Sequence, residues 1–377
     1  MKRSIFHFQQ VLLLLTIHHA LLEPLFAFHV PITGQKRLGP SFAAAKKGMG
    51  GSAAGGGFGA PTQSKKKPSK KQVAKKLEKT YGGTTPQEIA VGTQKRMNNF
   101  MGQLPPHLQR GLQIYQELQK WNARQSRLSV LQLAQIPESE LEGAKRAQTE
   151  LENFQAEFNI THDDLHNLLQ QMAWDASADA KAARALTGQM PKDIAEKIDK
   201  ACAIVADVVG DQGRCLDVGC GFGVLVPQLL KAGLSSKQIV GVDLSPEMIR
   251  NAQEQHPGIE FHAADFSKYQ DDDEPFDAVI FCSALHDFPD MDAALEKAVS
   301  LLRPNHGKLI LVHAQGASHV LKQSSSNPIL VKRGLPDTAE LSSMSEKCGL
   351  TLLVEPAAAG SKQESENGYL AVLQKVS

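Results

Sequence analysis

The chain has 377 residues and a formal net charge of +1, room for roughly two domains at about 150 residues each. That charge is unevenly placed: residues 1–79 hold 14 Lys/Arg against 2 Asp/Glu, leaving 27 against 38 in the rest. So acidic a body excludes general nucleic-acid binding, which needs a basic surface for phosphate contacts.

Residues 1–27 read as a signal peptide: Lys2 and Arg3 lead into an apolar run from Val11 to Leu22, and Ala27 offers a small residue at a cleavage point. The run is shorter than the roughly 18 residues of a membrane span, so no stable span is expected after processing; an uncleaved anchor is the alternative. From Phe28 the chain is rich in Lys, Gly, Ser and Ala and nearly free of acid until Glu78. Such a bipartite leader resembles the presequences of algae with complex plastids, which implies plastid import, with the secretory pathway as alternative. Residues 28–83 are expected to be a disordered transit and linker segment, because their Gly/Ala and Lys tracts bury no core. The five cysteines, 202, 215, 220, 282 and 348, have no paired spacing and no Cys-x-x-Cys. Free thiols, and neither a disulfide framework nor a metal site, follow.

Residues 84–173 read as helical. Thr85-Pro86-Gln87-Glu88 is a helix start, Leu112, Tyr115, Leu118 and Trp121 recur every three residues, and Thr161 to Asp164 cap a further helix. No catalytic constellation stands out here. A cap over the substrate, a docking surface for a protein partner and a packed structural extension remain open.

The stretch Arg214-Cys-Leu-Asp-Val-Gly-Cys-Gly-Phe-Gly-Val-Leu225 runs from an apolar segment through three alternating glycines into helical spacing, a strand–turn–helix opening of an α/β nucleotide site. Gln238 to Asp243 is a β-branched run ending in an acid 20 residues beyond Gly223, where a carboxylate reaches ribose hydroxyls. A dinucleotide would want a third spaced glycine where Val224 stands, and Asp217 is a poor neighbour for pyrophosphate. Leu-Asp-Val-Gly-Cys-Gly-Phe-Gly resembles the first motif of class I S-adenosylmethionine-dependent methyltransferases, and Gly-Val-Asp-Leu-Ser-Pro-Glu-Met-Ile resembles the second. The resemblance covers about residues 174–377. It implies an α/β, Rossmann-like domain with a mostly parallel seven-stranded sheet, preceded by the helical N-terminal region.

The resemblance also assigns the cofactor, S-adenosyl-L-methionine. Gly219, Gly221 and Gly223 let backbone approach its methionine part; Asp217 orders its ammonium; Asp243, with Leu244 beside it, takes the ribose; Asp265 and Phe266 meet the adenine. A helix N-cap is the alternative role for Asp265. Asp271 to Glu274 read as a solvated acidic turn. Pro275 to Ser283 form a buried strand, and Ser283-Ala-Leu-His286 at its end resembles the type 11 branch, which includes quinone-biosynthesis and small-molecule enzymes. Ser283 thus faces the cofactor. His286 is the candidate general base or positioner, against a structural His. Leu-Arg-Pro-x-x-Gly-x-Leu and the strand Lys308 to His313 follow. The segment from Ala314 to Pro336 reads as a long polar loop at the ligand edge, carrying the candidate substrate contacts His313, Gln315, His319 and Arg333.

Methyl transfer to a small-molecule acceptor through an oxygen or carbon nucleophile is the function these readings favour. A cofactor-binding pseudoenzyme or plastid assembly factor acting through the helical region is one alternative. A NAD-dependent oxidoreductase is another.

Overall fold

The computed structural model describes residues 69–187, 190–271 and 273–376. The expected signal peptide, residues 28–68 and Asp272 lie outside the described residues.

A helical unit comes first: α1 (Lys70–Tyr81), α2 (Pro86–Gln103), α3 (Pro106–Gln125), the short α4 (Val130–Leu133), α5 (Glu138–Phe158) and α6 (His162–Thr187). Helix α1 corrects the expectation of disorder through residue 83. Ser69 and Gln72 form a capping box at its start, Gly82 closes its end in the left-handed region, and Val73 and Tyr81 are buried. Lys76 pairs with Asp179 of α6 at 3.0 Å while the other lysines of α1 are exposed, and two apolar positions supply the packing, so composition alone misled. Helix α2 lies so close to α1 that a Cβ at Gly92 would stand 2.3 Å from the Tyr81 carbonyl oxygen. Leu112, Tyr115 and Leu118 of α3, Leu151 and Phe154 of α5, and Leu165, Leu169 and Met172 of α6 form one apolar core. Helix α6 continues unbroken across position 174.

The remaining chain is a seven-stranded sheet in the order β3-β2-β1-β4-β5-β7-β6. Helix α7 (Lys192–Val209) leads into β1 (Cys215–Val218), followed by α8 (Val226–Lys231), β2 (Ile239–Asp243), α9 (Pro246–Gln255), β3 (Glu260–Ala263) and β4 (Ala278–Cys282). Then come α10 (Met291–Leu301), β5 (Lys308–His313), α11 (Ala317–Ser326), α12 (Thr338–Cys348), β6 (Leu350–Val354), α13 (Lys362–Asn367) and β7 (Tyr369–Lys375). Strands β1 to β5 pair in parallel, and β7 enters antiparallel between β5 and β6. Apolar clusters cover both faces, as a parallel sheet requires. The order reverses at β1, between β2 and β4, so the carboxyl ends of β1, β2 and β4 open the crevice where ligands bind in such sheets.

Two expectations are revised. The supposed loop after β5 contains the ten-residue helix α11; its Ala and Val320 pack inward, a signal that its serine-rich end obscured. The acidic turn is not all solvated. Asp271 takes both arms of the Arg214 guanidinium at 3.0 and 3.1 Å and the Tyr269 hydroxyl at 2.9 Å, so it is a structural ion pair. The five cysteines are unpaired thiols, and no described helix is long and apolar enough to cross a membrane.

Candidate active site

A cavity of about 1440 Å³ opens at this crevice, larger than the 300–1,000 Å³ usual for one drug-sized ligand. It has room for two molecules.

The glycine loop forms one wall. Gly219, Gly221 and Gly223 have φ of 69°, 56° and 80°, a region L-residues occupy only at a cost. A Cβ on Gly219 would meet the Ala284 Cβ at 2.5 Å, whereas one on Gly221 would meet nothing within 4 Å. The loop is held from below: Gly219 and Cys220 N–H groups donate to the Val242 carbonyl at 2.8 and 3.1 Å, and Gly223 N–H to the Cys220 carbonyl at 3.0 Å. Gly221 N–H donates to Asp243 Oδ2 at 2.9 Å, and Ser245 N–H to Asp243 Oδ1 at 2.8 Å. Asp243 thus joins the loop to the end of β2 and sits on the cavity wall. Burial pushes its carboxyl up to about 6 against the pull of those two N–H bonds. Asp217, inside β1, lies behind the loop and not on the cavity lining; burial, then repulsion from Asp243, pushes it up to about 8.

These groups permit a test of which ligand fits. Four loop N–H groups are spent on internal acceptors, so the loop offers no nest for a pyrophosphate, which needs free N–H donors. The charge on this wall is the Asp243 carboxylate, whose ionised form has no cationic partner among the described residues. A ligand carrying a sulfonium and an ammonium would relieve that, and the open face at Gly221 leaves it space. S-adenosylmethionine fits this wall and a dinucleotide does not.

Leu244, Asp265, Phe266 and Ser283 all line the cavity. Asp265 takes the capping role considered for it. One oxygen caps the turn Phe266–Lys268 by accepting from Ser267 N–H at 3.0 Å, while the other accepts from Asn167 of α6 at 3.1 Å. Phe266 packs edge-on against Phe281 and Phe288. Ser283 has φ 54°, strained for a non-glycine residue, at the point where β4 gives way to the turn Leu285–Asp287.

That turn carries His286, 6% exposed. Its Nδ1 is buried without a hydrogen-bond partner among the described residues, and its Nε2 lies 3.7 Å from Asp287 Oδ1. His313, from β5, meets the His286 ring edge-on at 5.3 Å and stacks on His319 at 5.6 Å. Burial, then the two neighbouring imidazoles, holds His313 well below the usual histidine range, hence neutral. Among the described residues no group of three His, Cys, Asp or Glu is placed to hold a metal ion. His313 and Gln315 line the cavity. His319 stands behind His313. Arg333 lies apart, paired with Asp292 at 2.7 Å and Glu340 at 2.9 Å.

The far wall comes from α6. Gln170 Nε2 donates to the Asp287 carbonyl at 3.1 Å and the Leu330 carbonyl at 2.9 Å. His166 Nε2 also meets the Asp287 carbonyl, at 3.1 Å. A carbonyl only accepts, so Nε2 bears the proton and Nδ1 accepts from the Tyr115 hydroxyl at 3.3 Å. Burial pushes His166 down to about 4, so it stays neutral. Asp175 accepts from Ser245 Oγ at 2.5 Å, and Asp179 from Arg250 at 2.8 Å. Sequence reading missed Gln170, Asp287 and Lys181. The signal was there: positions 167, 170, 174, 177 and 181 share one helical face.

Sheet order, glycine loop and the carboxylate at the end of β2 together define a class I methyltransferase fold. Residues 215–305 match the family model described as Methyltransferase domain. The phthiotriol/phenolphthiotriol dimycocerosates methyltransferase of Mycobacterium leprae is 38% identical over 93 residues, 24% of this chain and 34% of that protein. A demethylmenaquinone methyltransferase of Chlorobaculum tepidum is 26% identical over 162 residues, 42% of this chain and 57% of that protein. A solved magnesium protoporphyrin IX methyltransferase from Synechocystis shares 19% identity, covering 54% of this chain and 97% of that one, with a TM-score of 0.39. The chain spans between 34% and 57% of the length of these two curated relatives.

Proposed function

We propose that the protein is an S-adenosylmethionine-dependent methyltransferase acting on a small-molecule acceptor through an oxygen or carbon nucleophile. The observation that carries this reading is the Asp243–Gly221 junction on the wall of a cavity large enough for two ligands, a cavity also lined by His286, whose buried Nδ1 has no hydrogen-bond partner among the described residues. When bound, S-adenosylmethionine supplies a methyl group on a positively charged sulfur. The chain's part is to hold, orient and exclude water. Asp243 receives the ribose, Asp265 and Phe266 the adenine, and the glycine loop the methionine part. His286 Nδ1 takes a proton from the acceptor or fixes its hydroxyl, and the surrounding apolar wall shields the charges from water. Holding the two reactants together can lower the barrier by several kcal/mol. Quinone- and phenol-like acceptors accord with the names of these two curated relatives.

The test is calorimetric titration with S-adenosylmethionine and with NAD, followed by incubation of a metabolite extract with methyl-tritiated cofactor. Saturable binding of the first alone and a labelled small molecule are expected; NAD binding, or a wild-type protein that ignores both, would end the proposal. A cofactor-binding assembly factor is the second reading, favoured by Val130 and Leu131, 82% and 78% exposed at the tip of the helical unit. It predicts cofactor binding with no labelled product. Plastid import belongs to the same proposal, and a fluorescent fusion to residues 1–83 tests it: secretion would overturn it.

A further inference from the structure

Asn167, Gln170, Trp174, Ser177 and Lys181 follow one another along α6 at spacings of three and four, and all five line the cavity. Three have their polar ends engaged: Asn167 with Asp265, Gln170 with two carbonyls, and Ser177 Oγ with the Ala173 carbonyl at 3.0 Å. Lys181 differs. Its ammonium lies 4.2 Å from the Trp174 ring centroid. Among the described residues it makes no hydrogen bond and no ion pair within 4.0 Å.

The charges that face it are Asp287, from the turn after β4, which favours its protonated form, and Arg184, further along α6, which opposes it. Burial outweighs both and lowers its pKa to about 8. The residue is half-buried, and its ammonium, with no bonded partner among the described residues, lines a ligand-sized space shared with His286. A cation on a π face still has its remaining N–H donors to give. The apolar residues Met190, Ile194, Leu330 and Val331 line the same cavity and suit the rest of a ligand whose charged end meets Lys181.

We propose that Lys181 is the anion anchor of the acceptor half of the cavity, binding an ionised oxygen carried on an otherwise apolar body: a phenolate or enolate, or a carboxylate. The role is binding, by charge and hydrogen bond; no bond to Lys181 forms or breaks. It rests on the methyl-transfer reading for the identity of the second ligand, but not for its test.

The probe is 4-nitrophenol, whose ionised form absorbs visible light and whose neutral form does not, titrated into the full chain with and without S-adenosylhomocysteine. Wild type is expected to bind the ionised form and shift the probe's ionisation to lower pH. Lys181→Met should weaken binding about tenfold or more and abolish the shift. Lys181→Arg should retain most of both. Binding of 4-nitroanisole, which has no ionisable hydroxyl, should be the same in wild type and Lys181→Met. Competition by benzoate would assign the anchor to anionic oxygens in general, and lack of it to phenolates; both accord with the proposal. Met removes a half-buried charge that has no bonded partner among the described residues, so this variant is expected to melt no lower than wild type, and Lys181→Gln serves if it does. Wild-type affinity and shift in Lys181→Met, or no binding of either anion by wild type at millimolar concentration, would overturn the anchor. Failure of S-adenosylhomocysteine to bind would instead strike the methyl-transfer reading and leave the phenolate result standing.

Discussion

Replacing Asp243 by Asn separates what this carboxylate does for the fold from what it does for a ligand. Burial raises its pKa to about 6, against about 3.9 in an unfolded chain. The folded protein therefore binds this proton more tightly than the unfolded one does. Stability from this group is fully present below the unfolded value and is lost as pH rises through 6. Between pH 5 and pH 8 the loss is about 1.4 kcal/mol for a fully shielded group, and about 1 kcal/mol once water in the cavity is allowed for. Asn has the same shape and does not titrate. Its cost is one of the two N–H bonds, to Gly221 or Ser245, since the amide presents one acceptor oxygen. That cost is about 1 kcal/mol and does not vary with pH. Urea unfolding of wild type and Asp243→Asn, followed by tryptophan fluorescence at pH 5, 6, 7 and 8, should give stability curves that converge or cross as pH rises. Loss of repulsion on Asp217 acts in the same direction. S-adenosylmethionine affinity should fall at least tenfold, about 1.4 kcal/mol. Parallel stability curves would refute the claim that Asp243 is held ionised against its environment, whatever the affinity does.

Three further outcomes follow from the same geometry. Gly219→Ala, at φ 69° and with its Cβ 2.5 Å from that of Ala284, should lose about 1–3 kcal/mol of stability by urea unfolding; adding Ala284→Gly should restore the steric part and leave the backbone strain. His286→Gln should slow tritiated-methyl transfer by about 100-fold while cofactor affinity from calorimetry stays within about twofold of wild type, because His286 lies beyond the cofactor wall. Tyr115→Phe strips the donor from His166 Nδ1 and should cost about 1–2 kcal/mol of unfolding free energy, with no change in cofactor affinity.

The parts of the site legible in the sequence were those set by backbone. The alternating glycines at 219, 221 and 223 must turn sharply, and Asp243 must end a strand, so both follow from local pattern. The parallel run Ala278–Cys282 is apolar because both its faces are covered, and that too is written locally. What was not legible depends on which helix face meets which wall. Lys181 and Gln170 sit in a helical stretch whose role the sequence leaves open, and only its packing across the crevice puts them on a cavity wall shared with His286. Arg333 looked available for substrate because it follows a polar segment, but two acids from α10 and α12 reach it first. Helix α1 was hidden by its lysines: Val73 and Tyr81 suffice to seat it once α2 and α6 supply the other half of the contact.

The helical unit is therefore part of the pocket. The Asp287 carbonyl, at the end of the turn that carries His286, accepts from both His166 and Gln170, and His166 is in turn held by Tyr115 at the centre of the helical core. Two hydrogen bonds in series and a third beside them, each worth about 1 kcal/mol, tie the position of His286 to packing among α3, α5 and α6. Asn167 on Asp265 and Ser245 on Asp175 repeat the connection on the cofactor side. A class I domain cut at residue 190 would keep its glycine loop and Asp243. It would lose the wall that bears Lys181 and the bonds that fix the His286 turn, so cofactor binding and acceptor binding should part company in such a truncation. That separation is the physical content of calling the N-terminal region half of the site.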